Sequence, residues 1–158
     1  MIKFIYVFLL SMTPLGELRI SIPTGILIHN LNPFLVFLIS VIGNFIPALL
    51  ILFFLEEVSQ FLMKKSKFFH KFFFWLFKRT HRKHSKKFEL YGEIALLVFV
   101  AIPLPMTGAW TGALAAFLFG IPIKKASFFI LLGIIGAGII VTLLTLSGIN
   151  LWGLIKNV

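Results

Sequence analysis

Long apolar runs fill most of the chain, and short stretches rich in proline, glycine or charge separate them. Two of these runs, residues 34–55 and 127–146, are nearly free of charge and have about 20 residues or more each. A helix rises about 1.5 Å per residue and the hydrocarbon core of a bilayer is about 30 Å thick. The pattern therefore predicts one full membrane span in each half of the chain.

The other apolar runs are too short to cross a bilayer. Arms of roughly 10–13 residues reach only about half to two-thirds of the way through the hydrocarbon core. In each half two such arms flank an interrupted stretch, which predicts a helical hairpin that enters and leaves on the same side. The arms are residues 4–13 and 20–31 in the first half, and residues 94–102 and 113–119 in the second. Although residues 1–10 resemble a secretory signal, we expect them to remain as the first arm.

The interruptions are the best candidates for a functional site. The second one, residues 102–112, contains two prolines, two threonines and two glycines but no charge. Proline removes a backbone donor and glycine permits turns, so the backbone here is expected to leave the helix. Within a bilayer, broken backbone is tolerated only where protein buries it or where it lines a polar cavity. The residues expected to shape the two hairpins are Pro14, Gly16, Pro23, Gly25, Pro103, Pro105, Gly108 and Gly112.

The charge distribution indicates how the chain sits in the membrane. The net charge is +10, and ten of the fifteen Lys and Arg residues lie between residues 64 and 87. Positive charge beside apolar spans is typical of a cytoplasmic loop, so we expect an anionic lipid leaflet rather than nucleic acid as its partner. The helical spacing of these cations predicts an amphipathic surface helix. His81 and His84 lie among them, and a divalent metal would be repelled, so no metal or other cofactor is expected.

We therefore expect a single all-α membrane domain, residues 1–158, in the cell membrane. Its parts are a first half (1–57), a basic cytoplasmic segment (58–90), a second half (91–148) and an interfacial tail (149–158). The motif from Thr24 to Leu27 is similar to the motif from Thr111 to Leu114. With the basic segment inside, the two halves cross the membrane in opposite directions. This is the inverted-repeat plan of many secondary transporters, which place their sites at the bilayer midplane.

The runs from Pro14 to Pro23 and from Ile102 to Gly112 resemble those of the small multidrug export protein family. The resemblance covers about residues 13–148 and implies a membrane exporter. The layout is more distantly similar to DedA-like membrane proteins, which would imply paired re-entrant hairpins and translocation of a lipid-linked carrier. DedA-like proteins usually carry a charge in the second hairpin, whereas residues 98–121 contain none here.

Three polar residues in the apolar blocks are candidates for function, because ionisable and polar groups within a membrane are costly. Glu17 is a candidate proton-coupling carboxylate, and Arg19 could receive an anionic head group as a forked donor. Alternatively, the two form a structural ion pair that holds the hairpin. Asn44 either bonds a neighbouring helix or faces the transport path.

The candidates in the second interruption have equally open roles. Thr107 and Thr111, like Thr24, could satisfy freed backbone groups or line the path. Trp110 could stack on cargo or lie at an interface. The sequence contains no cysteine and no recognisable nucleophile–base set or phosphate loop, so we expect no enzyme activity.

The leading hypothesis is a proton-linked secondary transporter that exports or translocates a small amphipathic or lipid-linked solute. The rival hypotheses are a lipid scramblase without ion coupling and a membrane adaptor that does not transport. A chain of 158 residues encloses little pore area, which is compatible with a homodimer.

Overall fold

The computed structural model of the chain describes residues 1–65, 86–103 and 107–156. In these ranges the backbone forms six helices, and none of the described residues lies in a β-strand. A π-helical turn, Thr24–Ile28, extends the second helix. The all-α prediction is therefore confirmed. The helices are α1 (Ile2–Met12), α2 (Glu17–Pro23), α3 (Pro33–Lys65), α4 (Lys86–Ala101), α5 (Ala109–Leu118) and α6 (Ile123–Lys156).

Two of these helices are long and apolar enough to cross a membrane. Helix α3 has 33 residues and α6 has 34. At 1.5 Å per residue each is about 50 Å long, more than the 30 Å or so of the hydrocarbon core. Their most apolar stretches both have a mean hydropathy of 2.6. These helices contain the two predicted spans.

Both long helices continue past the boundaries that the sequence pattern suggested. Helix α3 runs through Glu57 without a break and includes residues 58–65, which were expected to begin the basic segment. Residues 58–65 contain neither proline nor glycine, so each added residue gains a backbone hydrogen bond at little cost. Helix α6 likewise continues to Lys156 through most of the expected tail. The rest of the predicted surface helix, residues 66–85, lies outside the described residues, as do His81 and His84.

In each half, a glycine of the long helix allows a shorter helix to pack closely against it. A Cβ added to Gly43 in α3 would overlap the Ser11 hydroxyl and lie 2.9 Å from the Phe8 carbonyl oxygen of α1. A Cβ added to Gly133 in α6 would lie 2.7 Å from Val100 and 3.0 Å from a carbonyl oxygen of α4. Without side chains at these positions the helix backbones approach closely, as is usual in membrane-protein packing.

The two long helices also pack against each other and run in opposite directions. Gly138 of α6 lies against Phe37 and Val41 of α3. The earlier α6 residue Ile134 lines a small cavity together with the later α3 residue Asn44. Later residues of α3 thus lie beside earlier residues of α6, so the two helices are antiparallel. This crossing places the first turns of α2 and α5 next to each other in the core.

Candidate functional site where the two interruptions meet

The first interruption is a short turn between α1 and α2 that Thr13 stabilises. The Thr13 hydroxyl donates to the Leu10 carbonyl at 2.8 Å and accepts from the Gly16 backbone N–H at 3.0 Å. The turn satisfies backbone groups that the broken helix would leave unpaired in an apolar environment. Thr13 was not among the predicted site residues. A threonine directly before Pro14 and three residues before a glycine is a local signal that could have identified it.

Glu17 is the first residue of α2 and has an unusual backbone conformation. Its φ angle is +42°, in the left-handed region, which typically costs a non-glycine residue about 1–3 kcal/mol. Its backbone N–H still donates to the Thr13 carbonyl at 3.1 Å. The side chain is buried, with 7% of the residue exposed. This conformation directs the carboxylate towards the second interruption rather than along α2.

The carboxylate of Glu17 lies at the N-terminus of α5. It accepts a hydrogen bond from the backbone N–H of Trp110, in the first turn of that helix. A Cβ added to Gly108, the residue that precedes α5, would overlap both carboxylate oxygens. A helix N-terminus carries about half a positive charge and unpaired N–H groups, so it favours an anion there. Gly108 therefore provides the space in which an acidic side chain from the first half caps a helix of the second.

Arg19 contacts both the second interruption and Glu17. Its Nη2 donates to the Thr107 carbonyl at 2.6 Å and lies 3.5 Å from Glu17 Oε2. The guanidinium thus contacts a backbone acceptor and a carboxylate at once. The Arg19 side chain is 24% exposed, so part of it remains accessible. The two charged residues of the first interruption lie together against the second.

Asn44 lies beside this pair, about a third of the way along α3, and is only 2% exposed. It lines a cavity of about 10 Å³ with Glu17 and Arg19, enough space for about one water molecule. Its Oδ1 atom has no hydrogen-bond partner among the described residues. The oxygen therefore does not make the helix-to-helix bond that was one of the two roles predicted for Asn44.

The remaining polar candidates lie around the second interruption and pair with backbone. The Thr107 hydroxyl donates to the Ile102 carbonyl at 2.9 Å, and the Thr111 hydroxyl accepts from the Gly108 N–H at 2.9 Å. Both arrangements match one of the two roles predicted for these threonines, which is to satisfy freed backbone groups. That either threonine lines the transport path stays a prediction. The Trp110 indole N–H is buried and has no partner within the described ranges.

The second interruption is shorter than predicted. Because Thr111 helps to cap α5, the helix begins at Ala109, and Gly112 lies within its second turn. Pro23 ends α2 and Gly25 lies in the π-helical turn, so both occupy helical backbone. Pro14, Gly16, Pro103 and Gly108 do lie in the interruptions. Pro105 lies outside the described residues.

An open groove of about 320 Å³ extends outward from Arg19. Apolar side chains form most of its wall, and Arg19 is the charged residue among the described residues that line it. The groove therefore joins an apolar surface to a single cation. Its lining residues are Arg19, Pro23, Pro103, Val141, Leu144 and Thr145.

A second ion pair, between a buried carboxylate and a half-exposed lysine, lies away from this site. Glu93 of α4 is 2.8 Å from the Lys125 ammonium at the start of α6. The partners are far apart in sequence, and no local pattern predicts their pairing. Among the described residues, no group of three His or Glu side chains is placed to hold a metal ion.

Two long apolar helices and several short ones, packed around a buried carboxylate and a partly exposed guanidinium, define a helical membrane protein. The family model described as "Putative small multi-drug export protein" matches residues 17–140, from Glu17 to about the middle of α6. This range covers more than half of the chain, so the chain belongs to that family and the resemblance noted in the sequence is confirmed. No curated protein and no solved structure matches it.

Proposed function

We propose that the protein is a proton-linked secondary transporter that exports or translocates an amphipathic or lipid-linked solute. The observation that carries the proposal is the position of Glu17. A carboxylate from the first half is held by Arg19 and by the N-terminus of a helix from the second half. Family membership supports export in general, and the geometry supports coupling through this residue.

We further propose that the two halves form an inverted repeat. Residues 31–50 and 121–140 have matching degrees of burial at 18 of 20 positions when they are aligned 90 residues apart. In this register Gly43 corresponds to Gly133, and a Cβ added to either glycine would lie about 3 Å from a carbonyl oxygen of the helix packed against it, α1 or α4. Asn44 corresponds to Ile134, and these two residues line the same cavity. Equivalent residues that meet across antiparallel helices support a two-fold axis through the site.

The same proposal treats the short helices as re-entrant. Helix α1 has 11 residues and α5 has 10, so each is about 15–17 Å long. Neither length crosses a hydrocarbon core of about 30 Å, and their broken ends meet beside the crossing of α3 and α6. Residues 58–90 then lie on the cytoplasmic side of the cell membrane, as positive-inside placement requires.

Protonation of Glu17 provides the coupling step. The ionised carboxylate attracts Arg19 and the N-terminus of α5, and so favours the closed contact between the two interruptions. A proton on Glu17 removes the negative charge and weakens this attraction. A ligand or proton that stabilises one arrangement more than another shifts the population between them. The halves can then move relative to each other around a site near the midplane.

The proposal can be tested in proteoliposomes that contain a trapped pH indicator. An amphipathic solute should move protons when wild-type protein is present, and Glu17→Gln should abolish this coupled movement. Glu93→Gln is the matched control, because Glu93 is also a buried, ion-paired carboxylate but lies outside the site. Coupling should persist in that variant.

Other outcomes would support the rival functions. Lipid flipping that needs no pH gradient and persists in Glu17→Gln would indicate a scramblase. If folded wild-type protein moves neither protons nor lipid, and neither Glu17→Gln nor Arg19→Ala changes any transport signal, the adaptor hypothesis would be favoured. No enzyme activity is part of the proposal.

A further inference from the structure

The groove at Arg19 has the size and the chemistry of a site for a single-chain amphiphile. Its volume of about 320 Å³ is at the lower end of the usual range for small-molecule sites, about 300–1,000 Å³. Pro23, Pro103, Val141 and Leu144 offer apolar surface to an alkyl chain. The guanidinium of Arg19 offers a fork of N–H donors that suits a phosphate, sulfonate or carboxylate head.

We propose that this groove binds an amphiphile with an anionic head, and that the anion binds together with a proton on Glu17. This inference rests on the proposed transport function and gives the class of its substrate. It also gives the sign of the linkage, because anion and proton then bind together at the site rather than compete for it.

The shared use of Arg19 is the physical reason. Glu17 Oε2 lies 3.5 Å from Nη2, so an ionised Glu17 already neutralises the guanidinium. An anionic head brought to the groove would then give the group of three charges a net charge of −1 in an apolar environment. With Glu17 protonated, the anion and Arg19 form a neutral pair. Buried charges are tolerated when they are paired, so the protonated site favours the anion.

Arg19 is held in position independently of Glu17. Nη2 also donates to the Thr107 carbonyl at 2.6 Å, a neutral acceptor that does not titrate. The guanidinium can therefore remain at the end of the groove when Glu17 gains a proton.

The other described charges that face the packed helices lie away from the site. Glu93 of α4 pairs with Lys125, about 13 Å along α6 from its crossing with α3 at the 1.5 Å rise per residue. Lys3 of α1 contacts the His29 carbonyl at the far end of the π-helical turn. Helix α5 contains no charged residue, and α3 contributes the neutral Asn44. Glu17 is thus the titrating group that acts on Arg19.

A cationic amphiphile would show the opposite pH dependence. Its head would be repelled by Arg19 and attracted by ionised Glu17, so it would compete with the proton. Linkage is reciprocal: if a proton strengthens anion binding, the anion strengthens proton binding by the same factor. The direction of the pH effect therefore separates the two classes of ligand.

The experiment is calorimetric titration of the full chain in nanodiscs of zwitterionic lipid. The probe is dodecyl sulfonate below its micellar concentration, because a sulfonate does not titrate in the pH range used. Nanodiscs of the same lipid without protein measure partition of the probe into lipid alone. We expect affinity to rise as pH falls, by up to about tenfold per pH unit for one linked proton. Heats in two buffers of different ionisation enthalpy should show proton uptake.

Four variants sharpen the test. Glu17→Gln mimics the protonated residue, so it should bind the sulfonate at high pH about as well as wild type does at low pH, without proton uptake. Arg19→Gln should lose at least tenfold in affinity, and Arg19→Lys should recover part of it. Glu93→Gln should keep the wild-type pH dependence. Thermal unfolding checks that each variant is folded.

Several results would overturn the inference. These are sulfonate binding that is independent of pH, binding that weakens at low pH, or tighter binding of dodecyltrimethylammonium than of the sulfonate. In each case proton movement that depends on Glu17 could still be measured in proteoliposomes. Failure of the anionic-substrate inference would thus be distinguishable from failure of the transport proposal.

Discussion

Replacement of Gly108 by alanine tests the contact on which the site depends. Gly108 has φ −137° and ψ −166°, an extended conformation that alanine can also adopt. The backbone is therefore not the obstacle. The added methyl group would instead occupy the volume of the Glu17 carboxylate, which overlaps the position of a Cβ at this residue. We expect Glu17 to be displaced from the N-terminus of α5.

The expected loss of stability has two main parts. Inserting a methyl group into a packed site typically costs about 1–3 kcal/mol. Displacement also breaks the hydrogen bond from the Trp110 N–H to a charged acceptor, worth about 1.5–3 kcal/mol. The two parts overlap, because the same movement relieves the clash and breaks the bond. A decrease of about 2–4 kcal/mol in the free energy of unfolding is therefore expected.

The assay is reversible unfolding in mixed micelles, with coupled transport measured in parallel. Gly92→Ala and Gly148→Ala are matched controls. The nearest atom to an added Cβ lies 4.0 Å away at Gly92, and none lies within 4 Å at Gly148. Both glycines are in helices, where alanine is usually favoured by about 0.5–1 kcal/mol. The controls should therefore be neutral or slightly stabilising.

A double-mutant cycle decides whether Glu17 is responsible. In a Glu17→Ala background the carboxylate is absent, so Gly108→Ala should lose most of its effect. The coupling energy should be at least about 1 kcal/mol, as for residues in direct contact. The proposed contact between the Glu17 carboxylate and Gly108 is wrong if Gly108→Ala lowers the free energy of unfolding equally in both backgrounds. It is also wrong if Gly108→Ala lowers it no more than Gly92→Ala does in the wild type.

The other predictions concern the cavity, the depth of the first interruption and the second ion pair. Asn44→Leu removes an unpaired buried oxygen, a group that typically costs about 1–3 kcal/mol, so the variant should be as stable as the wild type or more stable on unfolding. A large loss of stability would mean that Asn44 has an essential partner. Leu15 is 90% exposed in the first interruption, so Leu15→Cys should react with a membrane-permeant maleimide and resist a charged thiosulfonate. Equal reaction with both reagents would place this interruption in water. Lys125→Met and Glu93→Gln should each lower the free energy of unfolding by only about 1 kcal/mol, because the lysine is half-exposed and solvent screens the pair. Unchanged denaturation curves for both variants would show that the pair contributes nothing to stability.

The positions of the interruptions were largely predictable, and the reason is local. Pro14 and Pro103 cannot donate a backbone hydrogen bond, and a glycine follows each within five residues, so a helix break is favoured locally there, whereas Pro47 alone is accommodated inside α3. The second interruption was predicted to be too long because Trp110 and Thr111 were grouped with its prolines. Gly108 is an acceptable N-cap residue, and the Thr111 hydroxyl three residues later accepts from its N–H, so this spacing could have placed the beginning of α5 at Ala109.

The site itself was predictable only in part. Glu17 and Arg19 stood out because charge within an apolar block is costly, and the structure places them in contact. Their partners did not stand out. Gly108 was expected to shape a turn, and its place beneath a carboxylate 91 positions earlier in the chain depends on how the halves pack. The Glu93–Lys125 pair was missed for the same reason.

The sequence by itself determined the all-α class, the two long apolar helices and the places where the short helices break. These features follow from local physics: helix rise, hydrophobic run length and the missing donor of proline. Only the tertiary structure decided that the Glu17 carboxylate caps α5 and that Arg19 lies between that carboxylate and an apolar groove. Such contacts depend on the crossing of α3 and α6, and no short-range pattern in the chain encodes the relative position of residues so far apart.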